Sequence, residues 1–340
     1  MNEDKPRKRR GAGRVTLNTV ARQAGVSAIT VSRYFNQPEQ VSPERRERIA
    51  QVVAELGYVP NLVAGGLASA RGRIVAMVIP NISGPIFANT IQGFSDTLSQ
   101  HGYQLLLASS YFSAEQEESA VRAFLGWSPA ALVLTSRFHS AATEKMIADA
   151  DIPVVETWDY VPERAPVQIG FSHYQVGVTA ARYLHDKGYR RMAFVHNSVA
   201  GDFSAQERGE GFAATLIELG VQPETFVPDA DRAAFDAGRQ AMETLMGHAT
   251  PPDAIFFAND NLAAGGLLAG QRCGLKCAVL GFGDYPFAEM LLPSLSTIKP
   301  PALEIGVLAA TCVLQSLGVL PQAVERLNLL DCHLIERESA

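Results

Sequence analysis

The chain has 340 residues, enough for two or more folding units, and its 47% hydrophobic and 19% charged content excludes a mostly disordered polymer. The net charge of −6 is unevenly placed: residues 1–73 carry 13 Lys/Arg against 6 Asp/Glu, and residues 74–340 carry 16 against 29. A basic head on an acidic body points to a polyanion partner for the head alone, and the lack of any run near eighteen apolar residues excludes a membrane-spanning helix.

Residues 1–14, MNEDKPRKRRGAGR, read as a basic disordered tail without the apolar stretch of a secretory signal, which sets a cytoplasmic expectation. Residues 15–60 then break into three helical patterns. Thr16 can cap LNTVARQA, where Leu17, Val20, Ala21 and Ala24 recur at helical spacing, and Gly25 supplies a tight turn. Ser27 caps a second helix from Ala28 to about Asn36, and the third opens at Ser42 with Pro43 in its first position and stops at Gly57. In the second helix Val31, Tyr34 and Phe35 make an inner face, leaving Ala28, Ile29, Ser32, Arg33 and Asn36 outside. A helix of this kind after a Gly-containing turn is what a helix-turn-helix lays in the major groove of DNA. Arg33 can hydrogen-bond guanine O6 and N7, Ala28 and Ile29 can meet a thymine methyl, and Thr16, Ser27, Thr30 and Ser32 can ligate phosphates. A three-helix bundle with a solvated outer face is the plainer alternative.

Residues 61–73 link head to body. Two turns of helix over Leu62–Ala68 would be marginal alone because Gly65 and Gly66 each cost about 1 kcal/mol against Ala. A segment that becomes helical only when docked is a hinge, and Leu67 is available there as a minor-groove wedge. A flexible linker explains the glycines but not the Leu and Ala spacing.

From residue 74 the pattern changes to buried-strand runs at 74–79, 104–108, 130–134 and 153–156, then at 192–195, around Phe226, at 254–257 and at 278–282, with helical stretches between. Alternation of this kind predicts parallel sheets covered by helices on both faces. Two such series predict two subdomains: about 74–172 plus 299–328, and about 173–298 plus 329–340, the tail carrying a strand STI, a helix over 301–317 and strands around Leu327 and Leu334. Ligands of such sheets lie beyond the carboxyl ends of the strands. That rule selects Phe87, Arg137, His139, Trp158, Arg208, Asn259, Asp260 and Asp284, each with a plainer alternative where one exists: Arg137 pairing with a nearby acid, His139 as a structural residue, Trp158 in the core, and Asp260 equally suited to cap a helix starting at Leu262. Guanidinium, amide, carboxylate and indole groups suit a polyhydroxylated ligand, and Arg137 with Arg208 an anionic one. No GxSxG, Walker loop, HExxH or GxGxxG after a strand is present, which argues against an enzyme. The four cysteines, Cys273, Cys277, Cys312 and Cys332, read as ordinary thiols, so neither metal nor cofactor is expected.

The motifs VTLNTVARQAGVSAITVSRYFN, VSPERRERIAQVVAELGYVPN, the hinge LAS, KGYRRMAFV, ERGEGF, FANDNLAAGGL and LGFGDYPFAEMLLPSLSTI together resemble the LacI family of bacterial transcription regulators across residues 15–338. The resemblance implies a helix-turn-helix headpiece, a hinge helix and a periplasmic-binding-protein-like core, acting as a homodimer on palindromic operator DNA under a small-molecule effector. It implies DNA contacts at Thr16, Ser27, Ala28, Ile29, Thr30, Ser32, Arg33, Asn36, Asn61, Ala64 and Leu67, and effector contacts at Arg208, Asn259 and Asp260. The features NQPEQVS, LTSRFHS, PVVETWD and VQIGFSH are similar to LacI-class gluconate-operon repressors, which implies a sugar-acid effector. A regulator answering a neutral sugar or nucleoside, and a sugar-binding module without a DNA role, are the alternatives.

Overall fold

The computed structural model describes residues 15–60, 72–82, 84–162, 167–197, 199, 201–230, 232–274, 276–322 and 328–340. The tail 1–14, the hinge residues 61–71, with Asn61, Ala64 and Leu67, and the strand expected around Leu327 lie outside them. The chain forms two compact units, divided after Gly72.

In the first unit α1 (Leu17–Ala24) starts at a reciprocal cap, in which the Thr16 side chain accepts from the Thr19 amide and the Thr19 side chain accepts from the Thr16 amide. Gly25 ends the helix in the left-handed region, φ 65°, which favours a residue without Cβ. Ser27 caps α2 (Ala28–Asn36), and Pro43 opens α3 (Pro43–Leu56), both as the sequence predicts. A 3₁₀ turn at Pro38–Gln40 was not anticipated. The three helices enclose Val20, Ala24, Val31, Val41, Ile49 and Val52, a core made by one stripe from each helix.

The second unit holds two sheets. The first has strand order β2-β1-β3-β4-β5, all parallel, from β1 (Ile74–Ile79), β2 (Gln104–Ser109), β3 (Ala131–Thr135), β4 (Val154–Thr157) and β5 (Val167–Ile169). The short β5 escaped sequence reading, since three residues carry no period. The helices α4 (Pro85–Gln100), α5 (Ala114–Gly126) and α6 (Ala141–Asp149) connect the strands. After β5, α7 (His173–Asp186) leads into the second sheet, built from β6 (Met192–Val195), β7 (Glu224–Phe226), β8 (Ala254–Phe257), β9 (Ala278–Phe282), β10 (Ser296–Lys299) and β11 (His333–Ile335). Its order is β11-β10-β9-β8-β6-β7, with β11 alone antiparallel. Its connecting helices are α8 (Phe203–Glu218), α9 (Ala234–Met246) and α10 (Asp260–Arg272), while α11 (Ala302–Ser316) returns to pack on α4 of the first sheet. Strands buried on both sides, such as β3 and β8, explain the continuous apolar runs in the sequence.

Glycines set how closely the covering helices approach. A Cβ on Gly177 of α7 would sit 2.0 Å from the Arg208 carbonyl oxygen of α8, and one on Gly211 of α8 would sit 2.1 Å from that of Tyr174. The two helices therefore touch backbone to backbone, in a register that puts the start of α7 beside Arg208.

Candidate DNA-reading face and effector cleft

On the headpiece the outward face of α2 carries exposed Ser27, Ile29, Arg33 and Asn36. Ile29 is 65% exposed, an uncovered apolar side chain in the middle of a polar face. Ala28 lies half-buried against the headpiece core, so it faces outward less fully than helical spacing predicted. The hydroxyls serve locally: Ser27 Oγ accepts from the Thr30 amide at 3.1 Å and lies 2.9 Å from Thr30 Oγ1, while Asn36 Nδ2 donates to the Ser32 carbonyl at 3.0 Å. Thr16 is likewise committed to its cap. Ser32 is half-buried.

In the core a cleft of about 570 Å³ opens where strand ends of both sheets meet, lined by Phe87 and Trp158 from the first series and Arg208, Asn259, Phe282 and Tyr285 from the second. The Phe87 and Trp158 rings meet edge-on at 4.9 Å, and Trp158 continues through Phe171 at 5.9 Å to His173, 4.6 Å further on. Backbone strain gathers here: among the described residues six non-glycines adopt positive φ, and four of them, Tyr111, Phe112, Ser136 and Trp158, line this cleft. The Trp158 Nε1–H is buried without a partner among the described residues.

Arg208 is the central cation, 4% exposed on α8. Its Nη1 lies 2.9 Å from His173 Nδ1, its Nη2 donates to the Ala258 carbonyl at 3.1 Å, and its guanidinium lies over the Phe282 ring at 4.3 Å. Nε is buried and unsatisfied among the described residues, and none of the described carboxylates forms an ion pair with this side chain. Burial pulls its pKa down from the ordinary arginine value, yet an arginine stays charged in a protein. A buried guanidinium that makes no ion-pair contact among the described residues, and feels Asp202 only from beyond contact distance, carries a desolvation cost that a bound anion would offset.

Four expected effector contacts are placed differently. Arg137 does not line the cleft; it donates to Asp159 at 2.9 Å, pairs with Glu207 of α8, and stacks 4.3 Å over Phe138. Burial, against the pull of Arg137, raises Asp159 to about 7. His139 is fully enclosed between Glu117 at 2.7 Å and Glu156 at 3.5 Å. Asp260 is buried, accepting from Thr297 Oγ1 at 2.6 Å and the Tyr285 amide at 2.8 Å, with its pKa lifted by burial to about 6. The cap of α10 is Asn259, whose side chain accepts from the Leu262 amide, so Asp260 fills neither role weighed for it. Asp284 pairs with Arg337 at 2.7 Å and Lys299 at 3.0 Å; burial opposes its charge, and the two cations still hold its carboxyl below the usual range. Spacing put these residues at strand ends correctly, but could not show the partners that turn them aside. His173, Tyr285 and the Asn197–Asp202 pair also face the cleft; for His173 and Tyr285 the sequence carried a signal, since VQIGFSH ends at His173 and LGFGDYPFAEMLLPSLSTI contains Tyr285, but neither was assigned a site role.

Among the described residues no helix is long and apolar enough to cross a membrane. Residues 16–61 match the model for bacterial regulatory proteins of the lacI family, and residues 181–340 match that for a periplasmic binding protein-like domain. The chain is 34% identical over 339 residues to the HTH-type transcriptional regulator GntR of Pseudomonas aeruginosa, covering 97% of each. It superposes on a LacI-family transcriptional regulator from Silicibacter pomeroyi with TM-score 0.87 and 30% identity, covering 96% of this chain and 99% of that one. For the lac repressor dimer bound to operator and the anti-inducer ONPF the TM-score is 0.81 at 25% identity, with 96% and 99% covered. With the three-helix headpiece, the two-sheet core and the cleft in place, the chain belongs to the lacI family of bacterial regulatory proteins: it is a DNA-binding transcriptional regulator, not an enzyme.

Proposed function

We propose that the protein is a repressor that binds a palindromic operator as a homodimer and is released by a sugar acid of the gluconate type held in the cleft. The observation that carries the effector class is Arg208, a buried cation at the cleft without a carboxylate partner among the described residues. The features similar to gluconate-operon repressors support the same class. On the DNA side Arg33 reads guanine, Ile29 and Ala28 meet base edges without hydrogen bonds, Thr16, Ser27, Thr30 and Ser32 position the headpiece on phosphates, and Asn36 makes a further DNA contact. Two-fold symmetry of a dimer demands two-fold symmetry of the site, and the lac repressor dimer, similar in fold, is bound to operator in its structure.

Release is a linkage: the effector must bind the conformation with low operator affinity better, and a coupling of about 1–3 kcal/mol suffices for a 5- to 150-fold change. A neutral sugar is the second reading, favoured by Glu115, Glu117 and Asp202 along the same cleft, which can accept hydrogen bonds from sugar hydroxyls.

A thermal-shift panel of gluconate, 2-ketogluconate, 6-phosphogluconate, glucose and ribose tests the class. A ligand at about 100 times its dissociation constant adds about 2.7 kcal/mol of stability. A shift with the carboxylated sugars that disappears in Arg208→Gln supports the proposal; a shift with the neutral sugars alone overturns the sugar-acid assignment. Operator titration with and without the active ligand then decides release against corepression, since tighter binding in its presence would reverse the proposed direction.

A further inference from the structure

The Arg208 side chain is held by groups that carry no charge. A guanidinium has only donors, so His173 Nδ1, 2.9 Å from Nη1, must accept, which leaves the imidazole proton on Nε2. The imidazole is fully enclosed, with the Phe171 ring at 4.6 Å and the Phe282 ring at 6.3 Å. Burial, with the guanidinium alongside, keeps the imidazole well below its ordinary pKa, so it is neutral at working pH. The remaining contacts, the Ala258 carbonyl and the Phe282 face, are neutral too.

We infer that His173 is the positioning residue of the effector site: its Nδ1 fixes the Arg208 guanidinium by accepting a hydrogen bond from Nη1 without adding a counter-charge. An aspartate or glutamate at this place would orient the arginine equally well, but would form an ion pair against which any ligand carboxylate must compete. An uncharged acceptor adds no contact ion pair for the ligand to displace, and a fixed fork geometry matches a carboxylate better than a mobile one. The backbone contact of α7 with α8 at Gly177 and Gly211 holds imidazole and guanidinium in that register. The inference deepens the proposed function, since it rests on Arg208 as the cation for the effector.

The test uses the full-length protein and its variants His173→Asn, His173→Phe and His173→Asp. Asn places an oxygen close to the Nδ1 position, Phe keeps the ring without an acceptor, and Asp keeps the acceptor while adding a counter-charge. Gluconate titration should give an affinity within about threefold of the parent for Asn, and losses of roughly 10-fold or more for Phe and Asp, in line with the worth of a hydrogen bond to a charged group. A second readout needs no ligand: in ¹⁵N spectra of arginine side chains, assigned with Arg208→Lys, rotation about the Arg208 Nε–Cζ bond should be slow in the parent and in Asn, and fast in Phe. Parent-like gluconate affinity together with slow rotation in Phe overturns the inference. An Asn variant as impaired as Phe in both readouts also overturns it, because the role would then be shape alone. If the parent does not bind gluconate, or Arg208→Gln binds it equally well, the sugar-acid reading fails, and the rotation measurement still decides the role of His173.

Discussion

Gly177→Ala isolates the geometry on which the cleft depends. The new Cβ would lie 2.0 Å from the Arg208 carbonyl oxygen, 2.5 Å from the Phe212 nitrogen and 3.0 Å from the Arg208 carbonyl carbon. These are backbone atoms of α8, so no side chain can rotate away, and the helices must part by more than about 1 Å to restore ordinary contact near 3.5 Å. Overpacking of this kind costs about 1–3 kcal/mol, offset by the roughly 0.5–1 kcal/mol that Ala gains over Gly inside a helix. The balance is a loss of about 1–2 kcal/mol, which for a unit of this size lowers the melting temperature by roughly 2–8 °C. Because the displaced segment carries Arg208, gluconate affinity should fall as well. Gly126→Ala, at the end of α5 with nothing within 4 Å of its Cβ, serves as the control and should leave stability unchanged or slightly higher. Differential scanning calorimetry and effector titration read both effects. A Gly177→Ala protein that melts at or above the parent temperature with unaltered gluconate affinity would refute the argument that backbone contact sets the site.

Three further outcomes follow from single residues. Burial opposes a charge on His139, but the Glu117 and Glu156 pairs outweigh it and raise its pKa to about 9 from 6.5, so between those values the folded chain holds a proton that the unfolded chain has released. Stability should therefore be fully supported below about pH 6.5 and fall as pH rises toward 9, by up to about 1.4 kcal/mol per unit; His139→Gln should flatten the melting profile between pH 7.5 and 9.5, and an unchanged slope would assign it elsewhere. Asp159, raised to about 7, acts in the same sense but at lower pH, so the two windows separate. Arg33→Ala should cost roughly 1–3 kcal/mol at the operator and relax its sequence preference while leaving gluconate binding intact, and an unchanged preference would mean that another helix does the reading. Ser27→Ala removes the cap of α2 and should cost about 0.5–2 kcal/mol, visible as faster hydrogen exchange at Thr30 and Val31, whose amides bond to Ser27; equal protection would contradict the cap.

What the sequence by itself determined is local. Thr16, Ser27, Pro43, Gly25 and Gly57 mark helix boundaries by chemistry that acts within one turn, and an apolar stripe or an apolar run reports which face of an element is covered. These features gave the three headpiece helices, the outward face of α2 and most strands of the core, while β5 was too short to carry a period. The strand-end rule also selected Phe87, Trp158, Arg208 and Asn259, which line the cleft. Only the tertiary structure decided which charged groups stay available there. Arg137 and His139 leave β3 in the expected place, yet Asp159, Glu207, Glu117 and Glu156 arrive from three other elements and engage them. Asp260 lost its role as cap to the preceding Asn259 and is bonded instead to Tyr285 and Thr297, on a neighbouring loop and strand. The role of His173 emerged only once α7 lay against α8. Helix and strand periods arise from neighbours close in sequence, whereas ion pairing, burial and the pKa shifts they cause depend on groups that only folding brings within a few ångströms.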